Sequence, residues 1–141
     1  MNVLQAVEIG ESNTLLLSEF LDTISESRKN FRYFENRDFE CLQNHLVTLI
    51  FKLGDTPAAY GHLDEEGDKV WLGVCVSDEH HGIGLGKKMM ECLFDYAKKF
   101  NLKKINLSVD KGNKVAYALY EKVGFVLENE SEKSFFMKKE F

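Results

Sequence analysis

The chain has 141 residues, 44% hydrophobic and 29% charged, a globular composition that excludes a disordered chain, a collagen-like repeat and a coiled coil. Its length suits one compact core, so residues 1–141 are expected to form a single domain. A net charge of −5 argues against nucleic-acid binding through a general basic field, and apolar runs such as Leu49-Ile50-Phe51 fall far short of the ~20 residues of a membrane span.

In chain order, Met1 to Val7 reads as a short strand. Asn13 is placed to cap a helix bearing Leu16, Leu17, Phe20, Leu21 and Ile24 at near-helical spacing. Residues 27–39, rich in arginine and aromatics, read as a short helix and a loop. His45 to Leu53 is a strand too apolar to be half exposed. Gly54 to Pro57 is turn chemistry, Ala58 to Leu63 a short strand, and Asp64 to Asp68 a hairpin loop before a strand from Val70 to Val76. From Gly86, the stripe Met89, Met90, Leu93, Phe94, Ala97 and Phe100 marks an amphipathic helix. Ile105, Leu107 and Val109 alternate as in a strand. Asn113 can cap a helix ended by Gly124, and two antiparallel strands, 125–128 and 134–138, close the chain. The order implies a mixed α/β domain with a largely antiparallel sheet.

Charge divides unevenly along this order. Residues 1–66 carry 5 Lys and Arg against 12 Asp and Glu, whereas residues 67–141 carry 13 against 11. The C-terminal part is the better receiver of an anion, the N-terminal part of a cation. Cys41, Cys75 and Cys92 form no C-x-x-C pair, so neither a disulfide framework nor a zinc site is expected. The first residues lack the basic-then-apolar order of a secretory leader, and a cytoplasmic setting is the expectation.

Between strand and helix lies Val74-Cys75-Val76-Ser77-Asp78-Glu79-His80-His81-Gly82-Ile83-Gly84-Leu85-Gly86-Lys87-Lys88. Glycines here allow a ligand close to the backbone. The first amides of the helix are unpaired and its dipole is positive there, so the turn suits a phosphate or pyrophosphate, reinforced by Lys87 and Lys88. The spacing is neither G-x-G-x-x-G nor a P-loop.

His81-x-x-Gly84-x-Gly86 after Val74-x-Val76 resembles the acyl-CoA pyrophosphate loop of the GNAT N-acetyltransferase superfamily, whose pattern opens on Arg or Gln where this chain has His81. Asn113-x-x-Ala116-x-x-Leu119-Tyr120-Glu121-Lys122-x-Gly124-Phe125 resembles the family's fourth-helix signature. The resemblance covers about residues 45–128. It implies a sheet of six to seven strands with splayed central strands and about four flanking helices. It also implies acetyl-CoA as cosubstrate, with no metal. Val74, Cys75 and Val76 would bind pantetheine and polarise the acetyl carbonyl through backbone amides, with the Cys75 side chain in the core. His81, Gly82, Ile83, Gly84, Leu85, Gly86 and Lys87 would hold the pyrophosphate. Asn113 and Ala116 would line the pantetheine arm, and Tyr120 would protonate the departing thiolate.

The implied reaction is direct attack of an amine on the thioester within a ternary complex. A base must then take the amine's proton. Tyr60 and His62 share one strand face, and His62 ranks ahead of His45 for this task. The acceptor stays open between a small cationic amine, favoured by the acidic first half, and an amino-sugar nucleotide, favoured by arginines interleaved with aromatics at 28–37; a peptide amine is a third class. A non-catalytic acyl-CoA sensor is the alternative, and a nucleotide-binding domain is disfavoured. Neither nucleic acid nor membrane is an expected partner, and the apolar residues of the last strands, Phe135, Phe136 and Phe141, fit either a homodimer interface or the core.

Overall fold

The computed structural model describes residues 3–141. Its strands are β1 (Leu4–Glu8), β2 (His45–Leu53), β3 (Thr56–Glu66), β4 (Lys69–Val76), β5 (Lys104–Asp110), β6 (Val126–Glu130) and β7 (Ser134–Glu140). The helices are α1 (Thr14–Leu21), α2 (Leu85–Lys99) and α3 (Lys114–Lys122), joined by short 3-10 turns. One seven-stranded sheet runs β1-β2-β3-β4-β5-β7-β6. All neighbours are antiparallel except β4 and β5, which run parallel and pair only at Trp71 and Asn106. The expected mixed α/β architecture with splayed central strands is the one observed; Met1 and Asn2 of the expected first strand lie outside the described residues.

Two turns differ from expectation. The β2–β3 turn is only Gly54-Asp55, with Gly54 at φ +62°, and β3 already begins at Thr56. Pro57 stands opposite Lys52, next to the register slip between Phe51 and Lys52, an irregular place of the kind where a strand accepts proline. At the other end β3 continues through Asp64, Glu65 and Glu66, each opposite a β4 residue, and the turn is Gly67-Asp68. Glu65 and Glu66 are exposed there, so their charges stay in water while their backbone is paired.

Helix α2 buries Met89, Met90, Leu93 and Ala97 against one face of the sheet, and α3 lies on the same face, with Tyr117 against Phe135 and Tyr120 against Phe125. Gly61 of β3 lets α2 come this close: a Cβ there would stand 2.5 Å from Met89 Cγ and 3.0 Å from Leu93 Cδ1. Leu17 and Phe20 of α1 pack on the other face with Ile24, Ile50, Tyr60 and Cys75. The 27–39 region forms no regular helix beyond a turn at Ser27–Lys29, followed by a second turn at Phe39–Asn44. It is an aromatic layer instead, with Phe31 and Phe34 at 5.4 and 5.6 Å from the Tyr60 ring centroid. Such a layer needs no helical period, which is why the sequence shows none. Among the described residues no helix is long and apolar enough to cross a membrane.

Gly61→Ala is expected to destabilise the fold by about 1–3 kcal/mol through overpacking against Met89. Urea unfolding checks this, and an unchanged midpoint would show that α2 can yield.

Candidate active site

Beyond Trp71, strand β4 has no partner on its β5 side, so the amides of Val74 and Val76 face an opening, while Cys75 between them is paired to Tyr60 of β3. A cavity of about 760 Å³ passes there. Its walls are β4, the glycine turn, residues 26–31 on one side and α3 on the other. Val74, Cys75, Val76, His81, Gly82, Gly84, Leu85, Gly86, Lys87, Asn113, Ala116 and Tyr120 all line it. Ile83 does not line it and is 58% exposed. Gly82 and Gly84 take φ of +81° and +84°, conformations costly for any other residue, and turn the chain into α2.

Individual side chains are held as follows. Asn113 Oδ1 accepts from Ala116 N at 3.3 Å and so caps α3. Among the described residues the Tyr120 hydroxyl makes no hydrogen bond, and burial pushes its phenol up to about 12, which keeps it protonated at neutral pH. Burial likewise pushes the Cys75 thiol up to about 12, which keeps it protonated at neutral pH. His81 is tied to the protein: its Nε2 lies 3.1 Å from the Val76 carbonyl and 2.9 Å from Ser27 Oγ, which donates to the same carbonyl at 3.0 Å. Beside it the Asp78 carboxylate accepts three consecutive amides, Ser25, Glu26 and Ser27, at 2.8, 2.9 and 3.0 Å. Those bonds hold its carboxyl well below the usual carboxylate range.

A second cavity, of about 380 Å³, lies beneath residues 30–37 and shares Asn30 and Phe31 with the first. His62 and Asp64 reach it from β3, Trp71 and Gly73 from β4, and Ser108 and Asp110 from β5. His62 is 2% exposed, with Nδ1 2.6 Å from Tyr60 Oη. It lies over Gly73, where a Cβ would meet Nε2 at 2.5 Å. His45 is on the wall of neither cavity. Its Nε2 is 2.7 Å from Tyr33 Oη, which donates to Asp64 Oδ2 at 2.9 Å, and its Nδ1 is 2.7 Å from Thr48 Oγ1. The imidazoles of His45 and His62 are 4.5 Å apart. Burial lowers the pKa of both, so both are neutral at pH 7.

Sequence reasoning placed Tyr60 and His62 on one strand face, as the structure does, and did not add Asp64. The same two-residue period places Asp64 beside them. Tyr33, Asp110, Ser27 and Asp78 join through contacts distant in sequence and left no local signal.

Comparison with known proteins bears on this geometry. Residues 13–125 match the Acetyltransferase (GNAT) family. The chain belongs to that family. A probable spermine N(1)-acetyltransferase of Bacillus subtilis subsp. natto is 38% identical over 69 residues, 48% of this chain and 45% of that protein. The chain therefore matches less than half the length of this GNAT relative. Two solved structures share the fold. The GNAT domain of S. lividans PAT gives a TM-score of 0.85 at 15% identity, covering 100% of this chain and 96% of that one. The PaiA N-acetyltransferase of Thermoplasma acidophilum, in complex with coenzyme A, gives 0.77 at 18% identity, covering 99% of each.

The buried histidines make stability pH-dependent. In the unfolded chain they take up protons near pH 6.5, which the folded protein refuses because burial lowers their pKa. Stability is therefore complete above about pH 6.5 and declines below it. Urea midpoints between pH 7.5 and 5 should fall, and His62→Gln should flatten that slope; an equal slope in the variant would exclude His62 as its source.

Proposed function

We propose that this chain is an acetyl-CoA-dependent N-acetyltransferase whose acceptor is a primary amine on a small cationic molecule, with residues 1–141 acting as one catalytic domain. The observation that carries this reading is the loss of β4–β5 pairing after Trp71 and Asn106. It opens a cleft bordered by free β4 amides, the glycine turn and Tyr120. The CoA complex of the PaiA neighbour and the name of the spermine acetyltransferase relative support it.

The roles follow from position. Amides of the glycine turn and the first turn of α2 receive the pyrophosphate, with Lys87 adding charge. The amides of Val74 and Val76, which face away from β3, bind the pantetheine and the acetyl carbonyl, where negative charge develops as the amine nitrogen attacks. The new C–N bond forms, the C–S bond breaks, and Tyr120 gives its phenolic proton to the departing sulfur. The amine's proton goes to His62 Nε2, a role that requires the tautomer with hydrogen on Nδ1, donated to Tyr60. Asp64 draws the acceptor in as its ammonium; His62 takes the first proton and passes it to solvent so that the neutral amine attacks, and the second N–H proton, lost as the amide forms, restores the Tyr120 phenol.

The acceptor cavity favours a cation. Its wall carries Asp64, Glu66 and Asp110 against Arg32 and Arg37. Three carboxylates against two guanidiniums leave this wall net negative, with Arg32 paired to Asp110 and Arg37 stacked 4.2 Å over the Tyr33 ring.

Thiol release from acetyl-CoA across polyamines, aminoglycosides, amino acids, peptides and amino-sugar nucleotides tests this reading. Saturable turnover confined to cationic amines is expected; tight acetyl-CoA binding with no turnover on any acceptor would favour a sensor. Tyr120→Phe should lower kcat about 10²-fold or more while leaving acetyl-CoA affinity nearly intact. Parallel loss of rate and affinity would make Tyr120 structural. Gly84→Val should weaken CoA binding at least about tenfold, because the side chain enters the cavity wall at a positive φ; calorimetric titration reads it, and undiminished affinity would move the pyrophosphate elsewhere.

A further inference from the structure

Two carboxylates in the acceptor cavity are satisfied very differently. Asp110, at the end of β5, holds Arg32, whose Nη1 and Nη2 lie 3.3 and 3.4 Å from its two oxygens. This pair spans from the loop to the sheet with side chains 53% and 32% exposed, a setting in which ion pairs are weak and easily exchanged. Arg32 Nη1 also donates to the Lys29 carbonyl at 2.6 Å, so its guanidinium keeps a partner when it leaves Asp110.

Asp64 is 7% exposed and lines the same cavity. Its Oδ2 accepts one neutral hydrogen bond, from Tyr33. Among the described residues its Oδ1 has no hydrogen-bond partner and neither oxygen has a lysine or arginine within ion-pairing distance. A carboxylate this deep ordinarily meets a cation. The fold provides none, and Oδ1 is left open to water on the cavity wall beside His62.

We propose that the cavity selects aliphatic amines carrying two or more ammonium groups: one ammonium lies against Asp64, and a second displaces Arg32 from Asp110. Arg32 is thereby a tethered competitor for the acceptor. This rests on the acetyl-transfer reading above and specifies its acceptor. Trp71 and Phe136, edge to face at 6.3 Å on the same wall, suit the methylenes between the charges. A monoamine reaches Asp64 but leaves the Arg32–Asp110 pair closed and draws nothing from Asp110. A polyamine exchanges one cation for another there, and the outgoing guanidinium returns to water.

The test compares wild type, Asp110→Asn and Arg32→Ala, with spermidine and propylamine as probes. Calorimetric titration of CoA-saturated protein reads binding, and thiol release from acetyl-CoA reads transfer. Asp110→Asn should weaken spermidine about two- to fivefold and leave propylamine unchanged; Arg32→Ala should tighten spermidine by about the same factor. Acetyl-CoA affinity should be unaltered in both. Equal effects of Asp110→Asn on the two amines, or none on spermidine, would overturn the proposal. Loss of acetyl-CoA affinity in Arg32→Ala would overturn the competitor role and make Arg32 a pin for the loop. Absence of thiol release with any amine, alongside Asp110-dependent spermidine binding, would defeat the transfer reading and leave the binding assignment standing.

Discussion

The two halves of the sheet meet at Trp71 and Asn106, and everything chemical in the molecule is arranged around that single pairing. Strand β4 is matched to β3 from Glu66–Lys69 through Ala59–Val76, and β5 is matched to β7 along its whole length. Each wall of the gap is therefore braced from behind, which lets the gap persist without collapsing. Backbone amides in such an opening still require acceptors. Water supplies them in the open cleft, and in the proposed reading a bound thioester takes its place. Asn106, only 2% exposed and with its Nδ2 lacking a partner, marks how tightly the junction itself is closed.

On either side of the gap the charges sort as the chain's two halves suggest. Lys87 and the dipole of α2 stand at the cleft where an anion is expected. Asp64 and Glu66 come from the acidic first half, yet Asp110 belongs to the second and completes their wall. Folding thus keeps the broad asymmetry and interleaves it at the wall of the second cavity.

The glycine turn and the Asn113–Tyr120 block were legible because each is local: a few residues fix a turn, a cap and a helix face. The strand face shared by Tyr60 and His62 was legible from alternation alone. The length of β3 was not, because Pro57 sits at a register slip and Glu65 and Glu66 carry charges that resemble a loop until β4 is seen opposite them. Residues 22–44 were the least readable. Their conformation is set by Asp78 holding the 25–27 amides, by Arg28 donating to the Ile24 and Leu21 carbonyls, and by rings stacked on Tyr60. Only the second of these is local in sequence. His45 was a reasonable candidate by residue type, and its place one phenol removed from the cavity depends on Tyr33, which no spacing rule connects to it.

The triple grip of Asp78 on Ser25, Glu26 and Ser27 also divides the chain into parts that can and cannot be exchanged. Upstream of Asn30 the loop is welded to the cofactor side through that carboxylate and through Ser27 on Val76. Downstream it is fastened again where Asp38 caps the turn leading into β2. The stretch between, residues 30–37, overhangs the amine cavity as a span supported at both ends. Beyond Phe31, its residues Arg32, Tyr33 and Arg37 line only that second cavity and not the cleft along β4, so rewriting them would leave the walls of the cleft in place.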